Sequence, residues 1–202
     1  MKEPPLIACD IDGVLADPLG PLLDWIQDAF CVAIAPEDVT HWDNVLNVAR
    51  NQSSSPITTE AWNAARRAFW TSPAVIGELP FVLPYRTALA RVRGMTGGLH
   101  IVTERGDELL ETSRAWLDSY GIPFDRIALR KDKAAYCRER RISYIIDDDP
   151  DVALSCQRTG VGVFLIDQPY NRAVPPLGGI WRVHAPLDIP GMLEHDLCRA
   201  MG

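Results

Sequence analysis

The 202-residue chain has little that would send it out of a reducing compartment or into a lipid bilayer. No run of about 18 apolar residues occurs, so a transmembrane helix is excluded. The start, Met1-Lys2-Glu3-Pro4-Pro5, lacks the apolar stretch of a secretory leader, and a cytosolic location is expected. The five cysteines (Cys9, Cys31, Cys137, Cys156, Cys198) are odd in number and include no CxxC pair or zinc-type spacing. They read as reduced, small hydrophobes. Excess positive charge is also missing. A formal charge of −7 speaks against a long nucleic acid as partner, because such binding draws on clustered Lys and Arg. There is no GxxxxGK[ST] loop, and Gly160-Val161-Gly162 lacks the third glycine of a dinucleotide loop. No internal repeat or low-complexity stretch is present.

What the chain does have is alternation. Short apolar runs at Leu6-Cys9, Leu99-Val102, Ile127-Leu129, Tyr144-Ile146 and Val161-Ile166 read as strands buried on both faces. Helical patterns run between them: Glu108 to Tyr120, Lys133 to Arg141, and Asp151 to Arg158 behind Pro150. Strands alternating with helices predict an α/β fold with a parallel sheet and helices on both faces. The interval 18–80 breaks the rhythm. It has helical patterns at Leu22 to Phe30 and Thr59 to Trp70 and holds Trp25, Trp42, Trp62 and Trp70. It reads as a small helical cap inserted after the first strand, with 1–17 and 81–202 forming the core domain. The plainer alternative is ordinary crossover structure packed on the sheet. From Gly178 onward only a terminal helix around Leu187 to Met201 is discernible.

Four features carry chemistry. Asp10-Ile11-Asp12-Gly13 follows the first strand directly, where doubly wound sheets bind ligands. A calcium loop is ruled out because Gly13 follows the second aspartate at once. Thr103 ends the second strand. Lys131 and Lys133 precede the helix leading into the fourth strand. Asp147-Asp148-Asp149-Pro150-Asp151 then crowds four carboxylates at that strand's end. Such like charges repel unless a cation neutralises them. A helix N-terminus accounts for Asp149 and Asp151 and explains Asp147 poorly.

The order D-x-D, Thr, Lys, Asp-Asp, each at a strand end or helix start, resembles the haloacid dehalogenase superfamily over nearly the whole chain. The resemblance implies a Mg²⁺-dependent phosphatase. Asp10 would be the nucleophile and Asp12 the acid and then base, also binding the metal through its backbone carbonyl. Thr103 and Lys133 would hold the phosphoryl group, with Lys131 as the competing lysine. Asp148 would be the metal carboxylate of the last motif, with Asp147 close second. The substrate would be a small phosphorylated molecule. Asp12 argues against a dehalogenase, since dehalogenase members lack that acid.

Phe69-Trp70 with Leu79-Pro80, and Asp167-Gln168-Pro169-Tyr170-Asn171-Arg172, together with Asp10 to Asp17, look like the 5′(3′)-deoxyribonucleotidase group and its bacterial and phage relatives. This implies nucleoside 5′-monophosphates as substrates. The contacts would come from Glu104 and Arg105 beside Thr103, and from aromatic residues of the insertion, Trp42, Trp62, Phe69 and Trp70. Each of those aromatics also suits a core position. A sugar-phosphate phosphatase, a polynucleotide 3′-phosphatase and a silent binding protein are the competing readings. A receiver domain is rejected because here a second acidic pair, Asp147-Asp148, comes after Thr and Lys, and the helical insertion is extra. A homodimer stays open.

Overall fold

The computed structural model describes residues 4–40 and 44–199. Six strands, β1 (Leu6–Cys9), β2 (Gly98–Thr103), β3 (Arg126–Leu129), β4 (Ile142–Asp147), β5 (Gly162–Ile166) and β6 (Ile180–Val183), form one sheet in the order β3-β2-β1-β4-β5-β6. Every pairing is parallel. All of β2 and the last three residues of β1 are buried, which is why these segments lack polar alternation.

Nine α-helices are described: α1 (Leu19–Phe30), α2 (Val45–Gln52), α3 (Thr59–Thr71), α4 (Pro73–Gly77), α5 (Pro84–Met95), α6 (Leu110–Ser119), α7 (Lys133–Arg140), α8 (Pro150–Arg158) and α9 (Ile189–Arg199). One apolar cluster joins Ile7, Cys9, Leu99, Ile101 and Phe164 to α1, α5, α6 and α9; the other joins Ala8, Val102, Ile145 and Val163 to α7 and α8. The two clusters take alternate residues of the same strands, so helices cover both faces of the sheet. From β1 the chain winds to β2 and β3, then returns past β1 to β4, β5 and β6. The winding therefore reverses between β1 and β4, where doubly wound sheets place their ligand crevice.

The strand and helix expectations match the five predicted runs. β6 was not among them. It is short, half-exposed at the sheet edge and set between Gly179 and Pro186, so it has no apolar run to announce it. Pro150 occupies the first turn of α8, and Asp149 caps that helix through Asp151 N–H at 2.7 Å and Val152 N–H at 2.9 Å.

A short antiparallel bridge between Ala16 and Phe81 brackets residues 18–80. Asp17 N–H donates to Pro80 O at 2.9 Å, and Val82 N–H to Leu15 O at 2.9 Å. Beyond it lie α1 to α4, tied together by Trp25 Nε1–H donating to Ala65 O at 3.1 Å. Their buried side chains, Leu22, Ile26, Val45, Trp62 and Phe69 among them, join the apolar cluster on one sheet face without a break. Among the described residues, no helix is long and apolar enough to cross a membrane. None of the five cysteines forms a disulfide.

Candidate active site

The carboxyl ends of β1, β2 and β4 and the first turn of α7 meet at one point. Asp10 follows β1, its N–H donating to Ile146 O at 2.9 Å, which fixes it against β4. Lys133 is almost fully buried, and its Nζ lies 2.8 Å from Asp10 Oδ2 and 2.9 Å from Asp147 Oδ2. Lys131 lines the cavity mouth with its side chain in solvent. Of the two lysines, then, only Lys133 sits between the carboxylates. Thr103 is buried at the end of β2, and its hydroxyl accepts the Arg105 N–H at 3.4 Å.

One lysine faces three buried acids. Asp10, Asp147 and Asp148 each place an oxygen within 4.8 Å of the others'. Burial pushes the Asp10 carboxyl up to about 7; Lys133 pulls against that, while Asp147 and Asp12 add to it. Burial, then Asp147 and Asp10, hold Asp148 well above the usual carboxylate range. Among the described residues, Asp10 Oδ1 is buried with no hydrogen-bond partner. A buried carboxylate oxygen left unpaired is costly. Hard oxygens in small number, buried and short of positive charge, fit a divalent cation such as Mg²⁺. Asp12 does not join that trio through its side chain. Arg105 holds it instead, Nη2 to Oδ1 at 2.6 Å and Nε to Oδ2 at 2.8 Å.

Arg105 itself is buried. Its Nη1 donates to Ser113 Oγ at 3.0 Å, and its guanidinium stands 6.0 Å from the Trp116 ring centroid. The expected substrate contact Arg105 is thus committed to the wall of the site, through a pairing that no local sequence signal announced.

A cavity of about 500 Å³ opens over these groups. Its far wall comes from α3, with Arg66, Trp70 and Thr71, and Glu104 lines its rim. Arg66 and Trp70 are four residues apart, which puts both on one helix face. Arg66 and Thr71 lie outside the expected contacts, although the four-residue spacing from Trp70 is a usable signal for Arg66. Phe69 requires correction as a substrate contact. It is fully buried, with its ring 6.0 Å from Trp25 and 5.0 Å from Trp70, so no face of it is open to a ligand. Trp62 is also a core residue, stacked on Phe30. Trp42 lies outside the described residues. A second hollow of about 570 Å³ near Tyr144, Gly162 and Trp181 opens at the other end of the strands, and among the described residues its only acid is Asp196.

The chain has the haloacid dehalogenase-like fold, and its structural neighbours are hydrolases of that superfamily. A predicted phosphoglycolate phosphatase from Haemophilus somnus superposes with a TM-score of 0.66 at 17% identity, covering 96% of this chain and 99% of that one. A Deinococcus radiodurans hydrolase of the same superfamily, solved with bound phosphate and sodium, superposes at 0.64 with 14% identity, over 96% and 95% of the two chains. In sequence, the chain is 25% identical over 170 residues to the "Putative nucleotidase" of Halalkalibacterium halodurans, covering 83% of this chain and 82% of that protein. No protein-family model matches.

Proposed function

We propose that this chain is a Mg²⁺-dependent phosphomonoesterase that works through an aspartyl phosphate on Asp10, with (deoxy)nucleoside 5′-monophosphates as its substrate class. The observation that carries the reading is the convergence of Asp10, Lys133, Asp147 and Asp148 at the point where the strand order reverses. Asp10 and Asp148, with Asp147 beside them, would hold the cation, aided by the Asp12 backbone carbonyl. The bound cation would supply charge that offsets repulsion between the nucleophile and a phosphate dianion.

The chain's own residues would divide the work. Asp10 forms a bond to phosphorus as the ester P–O bond breaks, and Asp12 gives its proton to the leaving oxygen. Water then attacks the same phosphorus and passes a proton to Asp12. The Asp10–phosphorus bond breaks, releasing inorganic phosphate and restoring both groups. Lys133 screens Asp10 and the incoming phosphoryl oxygens, and Thr103 donates its hydroxyl to one of them. Helices α1 to α4 act as a cap over this centre.

The nucleotide preference is supported by the name of the Halalkalibacterium halodurans relative, and by a cavity whose cap wall offers the half-buried Trp70 ring with Arg66 beside it. A volume of about 500 Å³ falls within the range of small-ligand sites. The test is phosphate release across nucleoside monophosphates, sugar phosphates and a chromogenic ester. Deoxynucleoside 5′-monophosphates should lead in kcat/KM. A sugar phosphate ahead by tenfold, about 1.4 kcal/mol in transition-state binding, removes the nucleotidase reading and leaves the phosphatase standing.

A further inference from the structure

We propose that the turn Gln168–Asn171 is a clamp for the candidate metal site: Tyr170 and Asn171 are positioning residues that fix Asp148 in the orientation a divalent cation needs, and Gln168 locks that arrangement to the Asp10 loop. The inference rests on the metal reading given above and extends it to residues that touch neither phosphate nor cation.

The turn follows β5 and reaches over both acidic loops. Tyr170 is buried, and its hydroxyl donates to Asp148 Oδ2. Asn171 is buried as well. Its Nδ2 donates to Asp148 O and to Ile166 O, both at 2.7 Å, while its Oδ1 accepts from Gln168 N–H at 3.2 Å and Arg182 Nη1 at 2.8 Å. The Asn171 amide is therefore saturated by backbone and one arginine, which Asp167 holds in turn at 2.8 Å. Gln168 Nε2 donates to Gly13 O at 2.9 Å, three residues beyond Asp10.

Gly13 packs directly against the Asp148 carboxylate, closest to the same Oδ2 that Tyr170 holds. The glycine has φ +82°, and a Cβ there would overlap the Asp148 carboxylate. With the phenol and Gly13 both against Oδ2 and its backbone carbonyl tied down, Asp148 keeps its carboxylate within reach of Asp10 and Asp147. The chemistry of the donor matters. A phenol satisfies Oδ2 while leaving the carboxylate its charge, whereas a second lysine would compete with the cation for it. Holding a ligand's non-coordinating oxygen in this way typically changes metal affinity about 10–100-fold.

The experiment is Mg²⁺ titration calorimetry on the full chain. Tyr170→Phe should raise the Mg²⁺ Kd about 10–100-fold while the metal-free melting temperature stays near that of Tyr144→Phe. Tyr144→Phe is the control: it loses a hydrogen bond of the same kind, to Asp196 at 2.8 Å, at the far end of the strands, and its Mg²⁺ Kd should equal the wild-type value. Gln168→Met, which frees Gly13 O and leaves the core intact, should weaken Mg²⁺ in the same direction, and it decides the matter if Tyr170→Phe does not fold. Wild-type Kd in both variants overturns the clamp and leaves the metal site in place. Absence of Mg²⁺ binding in the wild-type chain overturns both. Because the readout is affinity, a chain that binds Mg²⁺ with the clamp dependence and hydrolyses no phosphomonoester supports the clamp and refutes the phosphatase.

Discussion

Arg105 grips Asp12 through Nε and Nη2 of its guanidinium, across 93 residues of sequence, and is itself anchored on Ser113 through Nη1 and on the face of Trp116. The fork geometry matches a carboxylate in a way an ammonium cannot reproduce. Arg105→Lys should therefore leave the fold intact and let the Asp12 carboxylate wander. A hydrogen bond to a charged group contributes about 1.5–3 kcal/mol, so kcat/KM for the best phosphomonoester should fall about 10–100-fold. A folded Arg105→Lys variant with wild-type kinetics would show that this pair does not orient Asp12 for catalysis.

Asp10→Asn and Asp12→Asn should fail differently. An amide at position 10 cannot form the phosphoenzyme, so turnover drops to background. At position 12 the backbone carbonyl survives and Asp10 can still attack, but the proton donor and later base are gone, at about 10²–10⁴-fold in rate. With an activated ester the first step is spared more than the second, and a phosphoryl group should accumulate on the Asp10 peptide of Asp12→Asn. Mass spectrometry that finds the group on another residue removes Asp10 from the mechanism.

Metal binding should strengthen with pH. Burial raises the Asp10 carboxyl from its ordinary 3.8 to about 7. In the metal-free protein this group stays protonated through mildly acidic pH, so it lowers folded-state stability as pH climbs from about 4 through 7. A cation needs the carboxylate free of its proton, so binding releases one. The rise in melting temperature produced by Mg²⁺ should accordingly be small at pH 6 and larger at pH 8. Equal shifts at the two pH values would mean that Asp10 is not protonated in the metal-free site.

Phe69 and Trp70, adjacent on α3, should separate stability from specificity. Phe69 is fully buried, so Phe69→Ala costs about 3–5 kcal/mol in chemical denaturation. Trp70 lines the cavity. If a base stacks there, with about 1–3 kcal/mol at stake, Trp70→Ala should raise KM for nucleotides about fivefold to a hundredfold and leave a small aliphatic phosphate ester unaffected. An equal loss for both substrates would assign Trp70 to packing.

The parallel α/β frame was legible in the chain because burial of both strand faces writes itself as unbroken apolar runs, as in Leu6–Cys9 and Leu99–Val102. The Asp149 cap and Pro150 were legible for a similar reason: helix starts are governed by neighbours a few residues away. So was the order of Asp10, Asp12, Thr103, the lysines and Asp147-Asp148, since each lies at or just past a strand end or at a helix start. Long-range packing settled what local pattern left open. Lys131 and Lys133 look alike in sequence, yet one is solvated and the other buried between two carboxylates. Phe69 and Trp70 differ by a single step around a helix, and only the neighbouring α1 decides which ring faces the core. The Arg105–Asp12 pair and the turn that holds Asp148 join segments 93 and 22 residues apart. Composition carries no trace of such contacts, because side-chain orientation at a sheet edge is set by whichever loops the completed fold brings there.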